Sequence, residues 1–380
     1  MSDTFDSTPE SARPEDEHRF PCSNCGSDMR FAPTEGKMIC DHCGNEEPIE
    51  VEDGPWNGES AGEGSALVEN DFEAALRGEV DAAEMEETRV SACPSCGAQV
   101  QFDGADHSQE CPFCATPVVA DTGTHRHIKP KGLVPFQLTE REAKKAMNDW
   151  LGGLWFAPGG LKEYARKESS LDGIYVPYWT YDADTNTSYR GQKGTAYYVT
   201  VQGPDGKPRQ ERRIRWTRAF GRVSRFFDDI LVLASKSLPK RYTDALAPWD
   251  LSALAEYRPE FLSGFRAEGY TVELDEGMVE ARAIMNAQIE RDIRRDIGGD
   301  AQKIDAMNTH VDDVTFKHIL LPVWIAAYKY RDKSYRFVVN AQSGKVQGER
   351  PYSWGKIALA VIGAIVIAGA VLYGLELMDR

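Results

Sequence analysis

Apolar positions change period several times along this chain, and each period predicts an element. Residues 173 to 200, 213 to 234 and 314 to 348 alternate apolar or aromatic side chains with polar ones, the two-residue period of strands. Glu280 to Ile297 instead places Met285, Ile289, Ile293 and Ile297 on one helical stripe, with Gly298-Gly299 as its stop. Thr139 and Glu142 form a capping-box pattern that opens a helix through Leu151, and Pro158-Gly159-Gly160 breaks the chain afterwards. Between Asp71 and Glu87, Phe72, Leu76 and Val80 fall four residues apart, predicting a short amphipathic helix. Met1 to Arg19 and Glu46 to Gly64 show no apolar period, which predicts solvated chain. Met1 to Arg19 also lacks the basic and apolar regions of a signal peptide.

One stretch has no period because it is apolar all round. Ile357 to Leu375 is 19 residues without a charge. As a helix it extends about 28 Å, close to the roughly 30 Å hydrocarbon layer of a membrane. Tyr352, Trp354 and Tyr373 stand where interfacial aromatics are expected, and Lys345, Arg350 and Lys356 precede the span. The positive-inside rule then places residues 1 to 356 in the cytoplasm, as a C-terminal anchor in the inner membrane. Ala360, Ala364 and Ala368 form a small-residue stripe that suggests helix packing and a homo-oligomer.

A fold-class reading follows: α+β, with two small four-cysteine zinc ribbons, an α+β core and one C-terminal transmembrane helix. The expected units are an acidic N-terminus (1–21), ribbon 1 (22–44), an acidic linker with a short helix (45–92), ribbon 2 (93–120), the core (130–350) and the span (357–375). Within the core, Ile174-Tyr-Val-Pro177-Tyr-Trp179 matches Ile319-Leu-Leu-Pro322-Val-Trp324, and Ser188-Tyr-Arg190 matches Ser334-Tyr-Arg336 one residue out of phase. Two related β-hairpin units are implied. Proline inside each strand suggests an edge or a strand start, and Trp179 and Trp324 read as core anchors.

The ribbons rest on cysteine spacing. All eight cysteines fall in CxxC pairs: Cys22 and Cys25, Cys40 and Cys43, Cys93 and Cys96, Cys111 and Cys114. Fourteen residues separate the inner cysteines of each half, and the second set repeats the first at an offset of 71. Two residues between thiolates let one tight turn present both sulfurs to a metal, and Gly26, Gly44 and Gly97 ease that turn, whereas Ala115 follows Cys114. Four thiolates in a tetrahedron suit Zn²⁺, one ion per set, with rubredoxin-like iron as the alternative. A reducing cytoplasm favours metal thiolates over disulfides. His42 reads as an exposed spacer, because four sulfurs already fill a tetrahedral site.

The formal net charge of −16 is unevenly placed: residues 1 to 114 hold 27 acidic and 6 basic side chains. That excludes a generally basic nucleic-acid binder and pictures an acidic ribbon-and-linker arm held off an anionic membrane leaflet. The ribbons themselves are poor in cations, with only Arg30 and Lys37 between Cys22 and Cys43 and none between Cys93 and Cys114. One local exception is Lys207 to Arg225, where Lys207, Arg209, Arg212, Arg213, Arg215, Arg218, Arg222 and Arg225 face a single acid, Glu211. Interleaved with Ile214, Trp216 and Phe220, the arginines at 212, 213, 215, 218, 222 and 225 form a candidate anion site for single-stranded nucleic acid, anionic lipid headgroups, an acidic partner or the acidic linker. The alternative is a solvated strand face.

Enzyme signatures fail. GxxxxGK[ST] and HExxH are absent, and Gly58-Glu-Ser60-Ala-Gly62 lies in the acidic linker without a strand before it. His107, His125, His127, His310 and His318 have no evident nucleophile.

Residues 93 to 354 carry CPSCGAQV with CPFCATPVV, VPFQLTEREAKKAM, GIYVPYWTYDAD, APWDLSALAEYRPEFLSGFRAEGY and LLPVWIAAYKYRDKSYRFVVNAQSGKVQGERP. Through these the chain resembles a bacterial family of membrane-associated zinc-ribbon proteins, variously labelled transcription-factor-IIB-type zinc ribbon or primosomal protein N′ (superfamily II helicase). The resemblance implies a non-catalytic membrane protein, in some genomes encoded beside phage-shock-like, flotillin-like or tellurite-resistance proteins. The expectation is an adaptor that recruits a cytoplasmic or membrane protein partner. The rival is a nucleic-acid factor using the ribbons and the basic strand.

Overall fold

The computed structural model describes residues 20–51, 54–55, 68–88, 90–95, 97–101, 108–113, 116–119, 125–154, 171–202, 207–330, 333–349 and 353–378. The N-terminal stretch to Arg19, much of the linker, Cys96, Cys114, the Pro158-Gly159-Gly160 break and Tyr352 lie outside them.

It is a mixed α and β chain around a sheet-rich core. The N-terminal ribbon is a small antiparallel sheet of β1 (Arg30–Ala32), β2 (Lys37–Ile39) and β3 (Glu46–Pro48). The core opens with β4 (Gly132–Leu133), α1 (Glu140–Gly153), β5 (Asp172–Gln202) and β6 (Pro208–Leu233). It continues with β7 (Arg266–Ala267), α2 (Leu274–Ile297), β8 (Ala301–Tyr330), β9 (Lys333–Asn340) and β10 (Val346–Gly348), and α3 (Trp354–Met378) follows. α1 begins as its sequence predicts, with the Thr139 and Glu142 side chains capping reciprocally. β5, β6 and β8 contain 31, 26 and 30 residues, so at about 3.3 Å per residue they reach far beyond an ordinary core.

The two segments of the faint sequence repeat lie side by side. β5 and β8 pair antiparallel with Val176 opposite Leu321, and these two residues occupy the same position in the repeated segment. Each unit begins with a short strand that runs parallel to the other unit's long strand: β4 beside Ile319 and Leu320, β7 beside Ile174 and Tyr175. The amides of Val134 and Glu268 bond the carbonyls of Leu320 and Tyr175 at 3.0 Å each. Each tryptophan then reaches across to the other unit's helix start: Trp179 Nε1 donates to Val272 O and Trp324 Nε1 to Leu138 O, both at 2.9 Å. Both are core anchors, as their sequence context predicts.

Two expectations need correction. The prolines lie in central strands. Ala234 and Ala341 donate to the Pro177 and Pro322 carbonyls, where one neighbouring strand ends and the next begins, so the missing proline N–H costs no ladder bond. Ser188 and Ser334 are not equivalent, since β5 runs on to Gln202 while β8 ends at Tyr330 and Ser334 belongs to the return strand β9.

The predicted linker helix is also shorter. It spans Phe72–Leu76, capped by the Asp71 side chain on the Ala74 amide at 2.6 Å, and Gly78 ends it at φ +75°. Met85–Thr88 then forms a strand with His125–Ile128. Asn70 and Asp71 pair with β8, which ties this part of the linker into the core.

α2 begins earlier than its stripe suggests and lays Leu274, Met278, Ala281, Met285, Ile289, Ile293 and Ile297 on Tyr181, Tyr189, Phe227 and Phe316. At Gly277 an added Cβ would lie 2.4 Å from the Tyr181 hydroxyl and 2.9 Å from the Trp179 ring. Gly277→Ala should therefore lower the thermal midpoint. Overpacking costs about 1–3 kcal/mol, against a gain in helix propensity of about 0.5–1 kcal/mol. A rise in the midpoint would show that the contact is slack.

Candidate functional site

The first metal centre is assembled by two matching turns. Gly26 N bonds Cys22 O at 2.8 Å and Cys22 N bonds Ser27 O at 2.8 Å. In the second turn Gly44 N bonds Cys40 O at 2.8 Å and Cys40 N bonds Asn45 O at 2.9 Å. Gly26 and Gly44 adopt φ +75° and +73°, a left-handed conformation that disfavours a side chain. The hairpin β1–β2 brings the turns together, so that all four sulfurs lie within 4.8 Å of one another. Cys22 and Cys43 approach to 3.6 Å, Cys25 and Cys40 to 3.5 Å. Zinc–sulfur bonds of about 2.3 Å set tetrahedral sulfurs roughly 3.8 Å apart, so this quartet fits one Zn²⁺. His42 is exposed and outside the quartet.

The thiols themselves call for a cation. The Ser27 amide and hydroxyl pull Cys25 down to about 6. Burial opposes ionisation of Cys22, but the Asn24 and Cys25 amides outweigh it and lower its pKa. The Cys43 amide favours the Cys40 thiolate, yet burial and the neighbouring Cys25 and Cys43 sulfurs push Cys40 up to about 11. A divalent ion removes that mutual repulsion.

This ribbon is not held away on a flexible arm. Phe31 stacks edge-on against Phe261 with centroids 5.3 Å apart, its amide bonds Ser263 O at 3.0 Å, and Ser263 Oγ donates to Met29 O at 2.6 Å. Cys22, Cys40, Met38 and Ile49 share one apolar cluster with Tyr175, Phe136 and Trp324. The ribbon extends past its expected end at residue 44, through β3 to the buried Ile49.

At the second cysteine set the backbone repeats the first. Gly97 N bonds Cys93 O at 2.8 Å with Gly97 at φ +76°, Cys93 N bonds Ala98 O at 2.8 Å, and Cys111 N bonds Thr116 O at 2.8 Å. Cys93 and Cys111 are buried with Phe113, Val118, Ile174 and Tyr178, on the sheet face opposite Tyr175. Cys96, Cys114 and Ala115 lie outside the described residues.

A second cluster is acidic. Glu69, Asp182 and Asp229 approach one another where β6 and β8 both slip register against β5, and Asp229 and Asp313 take φ +51° and +48°. Lys317 Nζ already supplies the cation, bonding Glu69 and lying 2.9 Å from Asp229. Asp182 accepts the Asp229 amide at 2.8 Å. Burial, with Glu69 nearby, pushes its pKa up to about 7. The cluster is an internal ion-pair network at the bend of the sheet. His318, the next residue of β8, is buried and donates from Nδ1 to Ile128 O at 2.7 Å, and burial lowers its pKa to about 4.

Strand geometry divides the six candidate arginines. Odd positions of β6 turn toward α2: Arg225 forms a two-pronged pair with Asp292 at 2.6 and 2.9 Å, and Phe227 is buried under the helix. Arg213 and Arg215 share that side beyond the helix end, one 3.3 Å from Glu211, the other over the Tyr197 ring at 5.3 Å. Arg212, Arg218 and Arg222 face the opposite way, so the six do not form one anion site and Arg225 is a structural cation. Arg190 of β5, opposite Phe220, and Lys303 of β8, 4.4 Å from the Trp216 ring, join the open side. Arg190 was legible from the alternation of β5, whereas Lys303 becomes visible only through the pairing of distant strands.

Residues 16–48 match the family model described as the zinc-finger of RNA-polymerase I-specific TFIIB, Rrn7. This stretch contains the whole first quartet, so the N-terminal unit is a zinc ribbon. The full chain is 26% identical over 361 residues to the Bacillus subtilis (strain 168) protein named Uncharacterized protein YdjG, covering 95% of this chain and 97% of that one. The similarity thus extends through the core and beyond the ribbon. No solved structure matches.

Two measurements check this site. Elemental analysis of the purified chain should lose one equivalent of zinc in Cys22→Ser or Cys40→Ser; unchanged zinc would remove the assignment. For Asp182, a folded pKa above the ordinary value of 3.8 means that the folded state holds the proton more tightly, so stability falls as pH rises from about 4 to about 7. Asp182→Asn should flatten that segment of a melting-temperature profile, and an unaltered profile would place the titration elsewhere.

Proposed function

We propose that this chain is a non-catalytic, membrane-anchored zinc-ribbon adaptor that recruits a protein partner to the cytoplasmic face of the inner membrane, in a membrane-stress setting. The observation that carries the reading is the joining of a core-docked zinc ribbon to an exposed apolar helix. Trp354–Val371 in α3 has a mean hydropathy of 2.1 and none of it is buried. Such a surface suits lipid, and Lys345 before it with Lys356 in its first turn favours a cytoplasmic body.

The ribbon's charge favours a protein ligand over phosphate. Its two cations are engaged within the ribbon, Arg30 with Asp41 at 2.8 Å and Lys37 with Glu46 at 3.3 Å. Little is left to neutralise a polyanion there. The matching backbone turns at Cys93 and Cys111 support a second Zn²⁺ held by Cys93, Cys96, Cys111 and Cys114, in a ribbon laid on the other face of the sheet. Metal binding would then fasten a unit to each face and hold the recognition surfaces rigid.

Full-length protein in intact membranes tests the reading. It should resist alkaline carbonate extraction, crosslink a specific protein partner, and lose that crosslink together with one zinc equivalent in Cys93→Ser. Release by carbonate would refute the anchor. An unchanged crosslink in both Cys93→Ser and Cys40→Ser would refute ribbon-mediated recruitment, and ATP turnover by the purified chain would refute the non-catalytic assignment.

A further inference from the structure

Beyond Asp182 the sheet narrows to an arm of β6, β5 and β8, and α2 covers one of its faces. The 24 residues of α2 rise about 36 Å. That matches the roughly 33 Å of strand between Tyr181 and Gly191, where Ile297 closes the contact. The covered face is mostly apolar and also holds the Arg225–Asp292 pair. The open face carries basic and aromatic residues at alternate positions of β6: Arg212, Trp216, Arg218, Phe220, Arg222 and Phe226.

Phe220 and Phe226 are 83% and 58% exposed. Aromatic rings kept in water on a rigid sheet, with guanidinium groups between them, present stacking platforms and phosphate ligands in one row. Arg190 and Lys303 widen the positive surface across the neighbouring strands. Asp184 and Asp312 lie at the body end of this face, and Asp305 lies near the Gln192 amide on the far strand. On the opposite side Arg213 and Arg215 already have Glu211 and Tyr197 as neighbours. The open face therefore combines exposed phenylalanine rings and guanidinium groups in one row.

We propose that this open face binds single-stranded nucleic acid, with bases stacked on Phe220 and Phe226 and phosphates held by Arg190, Arg218 and Arg222. Recruitment of a protein through the ribbons is a separate property, so either can fail without the other.

The test uses the full chain in phosphatidylcholine nanodiscs with fluorescein-labelled dT20 and rU20, followed by anisotropy across a KCl series. Binding of either strand, weakening steeply with salt, supports the proposal. Phe220→Ala with Phe226→Ala should weaken it roughly tenfold or more. Arg218→Glu with Arg222→Glu should weaken it at least as much and flatten the salt dependence by roughly 0.7 for each phosphate no longer neutralised. Arg213→Glu with Arg215→Glu, on the other side, should leave affinity within about twofold, as expected of contacts confined to one face. All of these side chains lie at the surface, so unchanged melting curves will show that the variants fold. Absence of binding at low salt, equal losses from the two arginine pairs, or equally tight binding of a duplex would overturn the proposal. So would binding only to anionic vesicles, which would assign the face to lipid.

Discussion

Everything in the core depends on one antiparallel pairing, in which the two copies of a short repeated segment lie side by side about the Val176 and Leu321 pair. A local two-fold relation follows from pairing a strand with its own duplicate. The flanking parts are consequently exchanged, since each unit supplies the short parallel strand and the helix start that the other unit's long strand holds. Trp179 and Trp324 fasten those helix starts through their indole N–H groups. Neither unit can complete its sheet alone, because the ladder partners it needs belong to the other copy.

The pairing also creates two distinct sheet faces, with the first ribbon on one and Cys93 and Cys111 on the other. The first ribbon sets Phe31 against Phe261 and Phe265 on one face, and Phe265 in turn stacks on Phe136. Cys93, Cys111 and Phe113 pack on the other, with Ile174, Val176 and Tyr178. A small metal unit has little core of its own, and merging it with a larger one offsets that deficit. The first ribbon's cysteine turns are accordingly presented from a rigid base.

Past the core the same three strands become an arm, and the register slips around Asp182 mark the change. Acidic residues collect at this bend on three neighbouring strands, and Lys317 offsets their repulsion inside a partly buried network. From there outward, α2 closes one face while the other stays open. This asymmetry gives the basic strand two different chemistries: an ion pair between Arg225 and Asp292 of the helix on one side, exposed arginine and aromatic side chains on the other.

Much of this was legible in local patterns. CxxC spacing identified the first metal quartet, the capping box located α1, the apolar stripe located most of α2, and the unbroken apolar run located α3, because each signal depends on residues within one or two turns. The linker helix was overestimated because the apolar spacing of Phe72, Leu76 and Val80 carries no information about the strand partner that claims Met85–Thr88. Likewise the arginines from 212 to 225 read as one cluster in one dimension. Side-chain alternation could have separated them, but only the position of α2 decides which half is paired. The sequence by itself determined the metal ligands of the first ribbon, the apolar helix and the existence of a repeat. Tertiary structure alone decided that the repeats interlock, that the first ribbon is docked and that the basic strand has an open face, because these depend on contacts between residues far apart in the chain.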